Sequence, residues 1–187
     1  MAYKNWILKK LMNDTTIKDR KFAIELMRNL KLPFSIRYHS HSVANMALKI
    51  ANKITKVDLD KNLIEVGALL HDIGRTKTHG FRHGLEGGKI LKQHGCSNGL
   101  IRICETHILG GLDKADARKI GLPEKNYLPE TIEEKIVCLA DKFMKGTKEV
   151  SIEQRFKKWF LKYGRTEILL KSRRRIKKIK EDIEKLY

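Results

Sequence analysis

All seven histidines of this 187-residue sequence fall between positions 39 and 107. One of them, His71, is followed by Asp72 at the end of the apolar run Ala68-Leu69-Leu70. A carboxylate there faces the negative end of a helix dipole in a poorly hydrated setting, which is unfavourable without a cation. A bound metal ion is the simplest such cation. Its other ligands are sought among polar groups on inward-facing helix faces or ends: His39, His83, His107 and Asp141. Four imidazoles and two carboxylates form a mixed nitrogen–oxygen set, which suits Fe, Mn, Zn, Co or Ni better than Mg or Ca. Six protein ligands are too many for one catalytic ion that keeps an open position. The expected cofactor is therefore a pair of divalent transition-metal ions sharing a carboxylate.

The elements that must position these groups read as helices. Over 35–55, His39, Val43, Met46, Ala47, Ile50 and Ile54 share one face, while His41 lies about 200° round and faces water. Asp58 is placed to cap the next helix, which carries Leu59, Leu63, Val66 and Leu70 and ends at His71-Asp72. Gly74 is the expected stop, and Gly67 and Ala68 would let a neighbour approach. Helices over 83–94 and 97–109 follow, ending at Gly95 and Gly110-Gly111, with a short one over 114–120. Leu100, Cys104 and His107 share a face. Thr131-Ile132-Glu133-Glu134 reads as a capping box opening the helix that carries Asp141 beside Val137 and Met144. Before these, Phe22, Leu26 and Leu30 mark a helix ended by Pro33, with cap chemistry at Asp14-Thr15-Thr16. The last helix has an apolar seam at Leu169, Ile176 and Ile183, interleaved with Ser172, Ile179 and Leu186. No strand-period alternation is present, so the expected class is all-α. Three regions are expected: a helical extension over 1–20, the ligand-bearing domain over 21–147, and basic helices over 148–187 packing on the domain or a partner.

The order His39, His71-Asp72, Asp141 resembles the HD superfamily of metal-dependent phosphohydrolases. His39-Ser40-His41-Ser42-Val43-Ala44 looks like its first motif, His71-Asp72-Ile73-Gly74 like the HDIG form of its second, and Leu139-Ala140-Asp141-Lys142 like its last. His83 and His107 fall where binuclear members carry two further histidines. Gly121-Leu122-Pro123 and the stretch over 129–134 are similar to archaeal HDIG proteins of mostly unassigned activity. The resemblance implies a helical bundle with ligands converging at its centre. His39, His71, Asp72 and Asp141 would hold one metal, and Asp72 would bridge to a second held by His83 and His107. It implies hydrolysis of a phosphate ester or anhydride, by a phosphomonoesterase or a phosphodiesterase/pyrophosphohydrolase, through a metal-bridging hydroxide. The substrate would be a nucleotide or another small phosphorylated compound. Ile73-Gly74-Arg75 lacks the acid of nucleotidase-type and alarmone-type members, and Ile108-Leu109-Gly110-Gly111 lacks the GYP motif of the cyclic-dinucleotide branch. Hydrolases of diadenosine tetraphosphate and di-iron oxygenases of the superfamily remain compatible.

Asp72, Arg75 and Lys142 are the expected catalytic residues. Arg75 and Lys142, ahead of Lys77 and Arg82, are the expected phosphate-binding cations. His79 could stand in for His83, although Gly80 argues for a loop there. His94 would be about 16 Å from His83 along a helix, too far for one site.

The formal charge of +18 implies anionic partners. From Lys142 onward there are sixteen Lys and Arg against six Asp and Glu. Residues 171–178 could dock on RNA or DNA backbone, giving a second reading as a nucleic-acid-associated module with a regulatory metal site. Phe156, Trp159, Phe160 and Tyr163 read as a packing stripe, and the seam could also form a homodimer. Cys96, Cys104 and Cys138 read as reduced structural thiols. With neither a signal-peptide pattern nor a membrane span, a cytoplasmic protein is expected.

Overall fold

The computed structural model describes residues 18–187. The expected helix over residues 1–13 and the cap at Asp14-Thr15-Thr16 lie outside them. The helices are α1 (Arg20–Asn29), α2 (Phe34–Ala51), α3 (Lys61–Leu70), α4 (His83–Gln93), α5 (Asn98–Thr106), α6 (Lys114–Lys119), α7 (Ile132–Phe143), α8 (Ile152–Tyr163) and α9 (Glu167–Glu184). Short 3-10 turns occupy Ile73–Thr76 and Ile108–Gly110. Among the described residues the only strands are β1 (Met144–Lys145) and β2 (Lys148–Glu149), an antiparallel pair turning through Gly146 at φ +59°.

α3 is the central helix. Ile64, Val66, Gly67, Ala68, Leu69 and Leu70 are all buried, as suits a helix apolar on most of its circumference. It packs against α1, α2, α5 and α7. Gly67 permits the approach of α5, since a Cβ there would lie 2.5 Å from Ile103 Cδ1. Asp60, not Asp58, caps α3 by accepting from the Leu63 amide. The helix begins two residues later than its apolar pattern, because Asp60 is the residue within reach of an unpaired first-turn amide. Asp19 does the same for α1.

Two further expectations are corrected. The helix over 97–109 stops at Thr106, because Leu109 (φ +55°), Gly110 (φ +75°) and Gly111 (φ +88°) turn the chain left-handed. The capping box at Thr131 is half-formed. Thr131 accepts from the Glu134 amide, but the Glu134 carboxylate instead takes Arg102 and the Glu130 amide.

The C-terminal helices share the main core. Ile152, Phe156, Ile176, Ile179 and Ile183 are buried in one cluster with Val43, Leu69 and Ile136. Leu169, Ser172, Ile176, Ile179 and Ile183 form the buried face of α9. Ile176 packs on Gly110, where a Cβ would lie 2.9 Å from Ile176 Cγ1. An ionic cluster fixes this contact. Arg175 reaches Asp113 and Asp116 at 2.6 Å each and donates to the Gly111 carbonyl, while Lys171 lies 3.1 Å from Asp116. Asp116 is only 1% exposed, so its charge depends on these partners.

Arg175→Met is expected to lower stability by about 3 kcal/mol, since it leaves a buried carboxylate poorly paired. Lys178→Met removes an exposed, solvent-screened pair with Asp182 and should leave it essentially unchanged. Urea midpoints of the two variants check the contrast.

Candidate metal centre

Five chain segments deliver the six expected ligands to one place. α2 supplies His39, the end of α3 supplies His71 and Asp72, the start of α4 supplies His83, the end of α5 supplies His107, and α7 supplies Asp141. One donor atom from each of His39, His71 and Asp141 lies within 4.8 Å of the other two, and the same holds for His71, Asp72 and His107. His83 joins the second group, with its Nε2 3.0 Å from both Asp72 Oδ1 and His107 Nε2.

The orientation of the rings has a simple origin. His71, His83 and His107 each place Nδ1 2.7 Å from the carbonyl three residues earlier, on Ala68, Gly80 and Cys104. His39 Nδ1 lies 2.9 Å from the Gly146 carbonyl in the β1–β2 turn. A carbonyl only accepts, so each Nδ1 carries a proton, and in the Nδ1–H tautomer the Nε2 lone pairs of His71, His83 and His107 point inward, whereas His39 Nε2 is bonded to Asp141 Oδ1 at 3.0 Å. Lone pairs of His83 and His107 then face each other at 3.0 Å, which is repulsive without a cation between them. Among the described residues, His71 Nε2 and Asp72 Oδ1 are buried and have no hydrogen-bond partner. Orphaned polar atoms of this kind are costly in a protein interior, and they are metal-ligand types. The donor set therefore fits divalent transition-metal ions. Asp72 presents Oδ1 to His83 and His107, and Oδ2 to His71 at 3.8 Å. His71 is the residue common to both triads.

Protonation follows from burial and neighbours. Burial pushes His107 down to about 3 and lowers His71. Burial also depresses His39, but its hydrogen bond to Asp141 outweighs that and leaves it raised. Burial alone would raise both aspartates. The imidazoles of His71, His107 and His83 hold Asp72 well below the usual range, and the Lys142 ammonium with His39 does so for Asp141. Burial raises Cys104 well above its ordinary value and Cys138 to about 12. These thiols stay protonated and point at the His71 and His107 carbonyls, the structural role expected of them.

Gly74 works differently from expectation. α3 has already ended at Leu70, and Gly74 lies inside the following 3-10 turn. A Cβ on it would lie 1.9 Å from the His83 carbonyl oxygen and 2.5 Å from the Gly87 amide nitrogen. It is the point where the His71-Asp72 turn touches the start of α4, and only glycine permits that approach.

The cluster opens into a cavity of about 790 Å³, within the range of small-molecule sites. Arg75 and Lys142 line it, whereas Lys77 and Arg82 do not. Arg75 Nε donates to Asp72 Oδ2 at 2.7 Å. Lys142 is buried, and its ammonium binds Asp141 and the His107 carbonyl. His79 sits exposed on the lining, and His94 is exposed elsewhere. Three lining residues come from α8: Arg155, Trp159 and Tyr163. The stripe over 156–163 is therefore divided. Phe156 is buried, while Trp159 is half-buried and Tyr163 exposed at the cavity. Arg155 donates to the Asp141, Lys142 and Met144 carbonyls, closing the end of α7 beside Asp141. Nothing in the local pattern marks Arg155, because its role depends on where α8 docks.

The HD-domain family profile matches residues 36–145. This chain belongs to the HD-domain family. An uncharacterized protein of Methanocaldococcus jannaschii is 47% identical over 120 residues, covering 64% of this chain and 70% of that protein. Two tRNA (cytidine(56)-2'-O)-methyltransferases are also similar. The one from Thermoplasma volcanium is 39% identical over 138 residues, 74% of this chain and 40% of that one. The one from Picrophilus torridus is 35% identical over 170 residues, 91% of this chain and 48% of that one. The chain thus spans under half the length of the methyltransferases. Among solved structures, the HD domain of the L. monocytogenes phosphodiesterase PgpH, in complex with cyclic-di-AMP, superposes with a TM-score of 0.50 at 21% identity. That match covers 87% of this chain and 96% of that domain, a likeness of fold. Among the described residues no helix is long and apolar enough to cross a membrane.

Two predictions follow from this geometry. Unfolded His71 and His107 titrate near the ordinary value of 6.5, whereas folded His107 stays neutral to about 3. Below pH 6.5 the unfolded state binds protons that the folded state refuses, so stability falls on acidification. The raised His39 works in the opposite sense, contributing stability at low pH that is lost as pH rises through its folded value. Chelator-treated protein should show a urea midpoint declining from pH 6.5 towards about 3, and His107→Asn should flatten that decline. A midpoint that stays level would contradict the burial argument. Gly74→Ala should cost at least about 3 kcal/mol, at the upper end for overpacking, because the clash is with backbone; thermal melts check this.

Proposed function

We propose that this protein is a metal-dependent phosphohydrolase acting on a nucleotide or another small phosphorylated substrate, with two divalent transition-metal ions held at the cluster. The carrying observation is the inward-facing Nε2 set, in which His83 and His107 lone pairs meet while His71 Nε2 and Asp72 Oδ1 have no partner. His39, His71, Asp72 and Asp141 would hold one ion, and Asp72, His83 and His107 the other. Such ions supply Lewis acidity and lower the pKa of water, which suits hydrolysis without a side-chain nucleophile. Asp72 turns Oδ1 to His83 and His107 and Oδ2 to His71, so it would be shared between the two ions.

The remaining roles belong to the protein's own groups. The backbone carbonyls hold the Nδ1 side of each ring and so aim each Nε2 at the cluster. Lys142 keeps Asp141 ionised and anchors the end of α5 through the His107 carbonyl. Arg75 orients Asp72 through Nε and is assigned to meet substrate phosphate on the cavity side.

A second reading is favoured by one observation, the similarity to two tRNA methyltransferases. It is an RNA-associated domain, acting beside or within such an enzyme, whose metal site is regulatory.

Metal analysis of purified protein, with hydrolysis of bis(p-nitrophenyl) phosphate and a nucleotide panel under added Mn, Co, Ni or Fe, tests the main reading. His83→Ala and His107→Ala should each lose one of the two ions. Asp72→Ala should disrupt both and reduce turnover by at least about a hundredfold, the scale of a lost metal-ligand contact. Full activity of Asp72→Ala would end the phosphohydrolase reading. Turnover with Mn under anaerobic conditions would separate it from oxygenase chemistry.

A further inference from the structure

The cavity wall opposed to simple phosphate binding is aromatic, and it comes from α8. Trp159 and Tyr163 are four residues apart, so they share one face of the helix, and both line the cavity. Trp159 is held edge-on against Phe156, with ring centroids 5.1 Å apart, and the Arg155 guanidinium lies 5.4 Å from its ring. Tyr163 is 56% exposed at the mouth, with the Lys162 ammonium 4.9 Å from its ring centroid on one side.

Each aromatic is preceded by a lysine, in the doublets Lys158-Trp159 and Lys162-Tyr163. Both lysines are exposed and lie outside the cavity lining, next to its rim. Lys145, from β1, lines the cavity and faces Lys158 closely enough to push the Lys158 ammonium down, with Lys162 adding to the effect. Among the described residues none of the three has a carboxylate at ion-pair distance, unlike Lys171, Arg175, Lys178 and Lys180 of α9. Lys171, Arg175 and Lys178 of the basic segment over 171–178 are thus neutralised within the molecule. Lys145, Lys158 and Lys162 at the cavity mouth are not. A ligand that uses the metal cluster, the aromatic wall and this rim together must carry a flat ring and phosphates that continue outward.

We propose that the cavity takes the end of a single-stranded polynucleotide, with a terminal base stacked on Trp159 and Tyr163 and the following phosphates led across Lys145, Lys158 and Lys162. This inference rests on the phosphohydrolase reading, since it supplies the substrate for that same site. A duplex should bind less tightly, because all but its end faces are already stacked and its paired bases cannot be splayed onto the wall.

The test is fluorescence anisotropy with dye-labelled single-stranded RNA, single-stranded DNA and duplex of about 12 nucleotides, a length within known single-strand site sizes. Single strands should bind, with Kd rising steeply between about 50 and about 200 mM salt. The RNA and DNA arms report whether the 2'-hydroxyl is read. K158E/K162E and Trp159→Ala should each weaken binding by about tenfold or more, the first through phosphates and the second through stacking. Circular-dichroism melts confirm that the variants are folded. R174E/K177E, exposed cations of α9 outside the cavity lining, should weaken binding less than about threefold. Three results would overturn the inference: a duplex bound as tightly as a strand, an equal loss from the α9 reversal, or variants within about twofold of wild type. Strand binding without turnover of bis(p-nitrophenyl) phosphate, of any nucleotide in the panel or of the strand itself would fail the phosphohydrolase reading. Turnover without strand binding would fail this inference alone.

Discussion

The structure depends on one unfavourable contact that a cation would make favourable. Imidazole lone pairs of His83 and His107 face each other at 3.0 Å, and the neighbouring Asp72 Oδ1 and His71 Nε2 have no hydrogen-bond partner. Backbone carbonyls enforce this arrangement by taking the Nδ1 side of every ring. Folding therefore brings together groups that repel or starve one another, and stability elsewhere must offset the cost. The apolar circumference of α3 and the glycine contacts around it are where that offset lies.

Those contacts tie each ligand to the core. Gly74 lets the His71-Asp72 turn touch the carbonyl of His83. Beyond His107 the chain turns left-handed through Leu109, Gly110 and Gly111, and Ile176 of α9 packs on Gly110. Arg155 of α8 closes the end of α7 next to Asp141. The C-terminal helices, beyond the family-matched segment of residues 36–145, thus support two ligands from behind and form part of the cavity wall.

Much of the candidate site was legible in the sequence. His39, His71, Asp72, His83, His107 and Asp141 stood out because polar, metal-ligating residues on inward helix faces are costly, and their order matched a family motif. The helical class followed from the periodicity of the same stretches. Helix ends were less legible. Asp58 and Asp60 are equally good caps by type, and only the position of the first unpaired amide distinguishes them. Gly74 resembled a helix stop because a glycine after an apolar run commonly is one; a close approach between segments leaves no local trace.

The sequence alone determined which atoms are available for chemistry, because ligand type is a property of the side chain and helical spacing decides which side chains face inward. The tertiary structure alone decided how those atoms are used. It gave Asp72 a different neighbour for each oxygen, paired Lys142 with Asp141, and neutralised Lys171 and Arg175 while leaving Lys158 and Lys162 without a carboxylate partner among the described residues. It also turned Trp159 and Tyr163 from a packing stripe into a cavity wall. The reason is physical: ion pairing and exposure depend on what a docked neighbour presents, and the docking of α8 and α9 is set by contacts far apart in the chain.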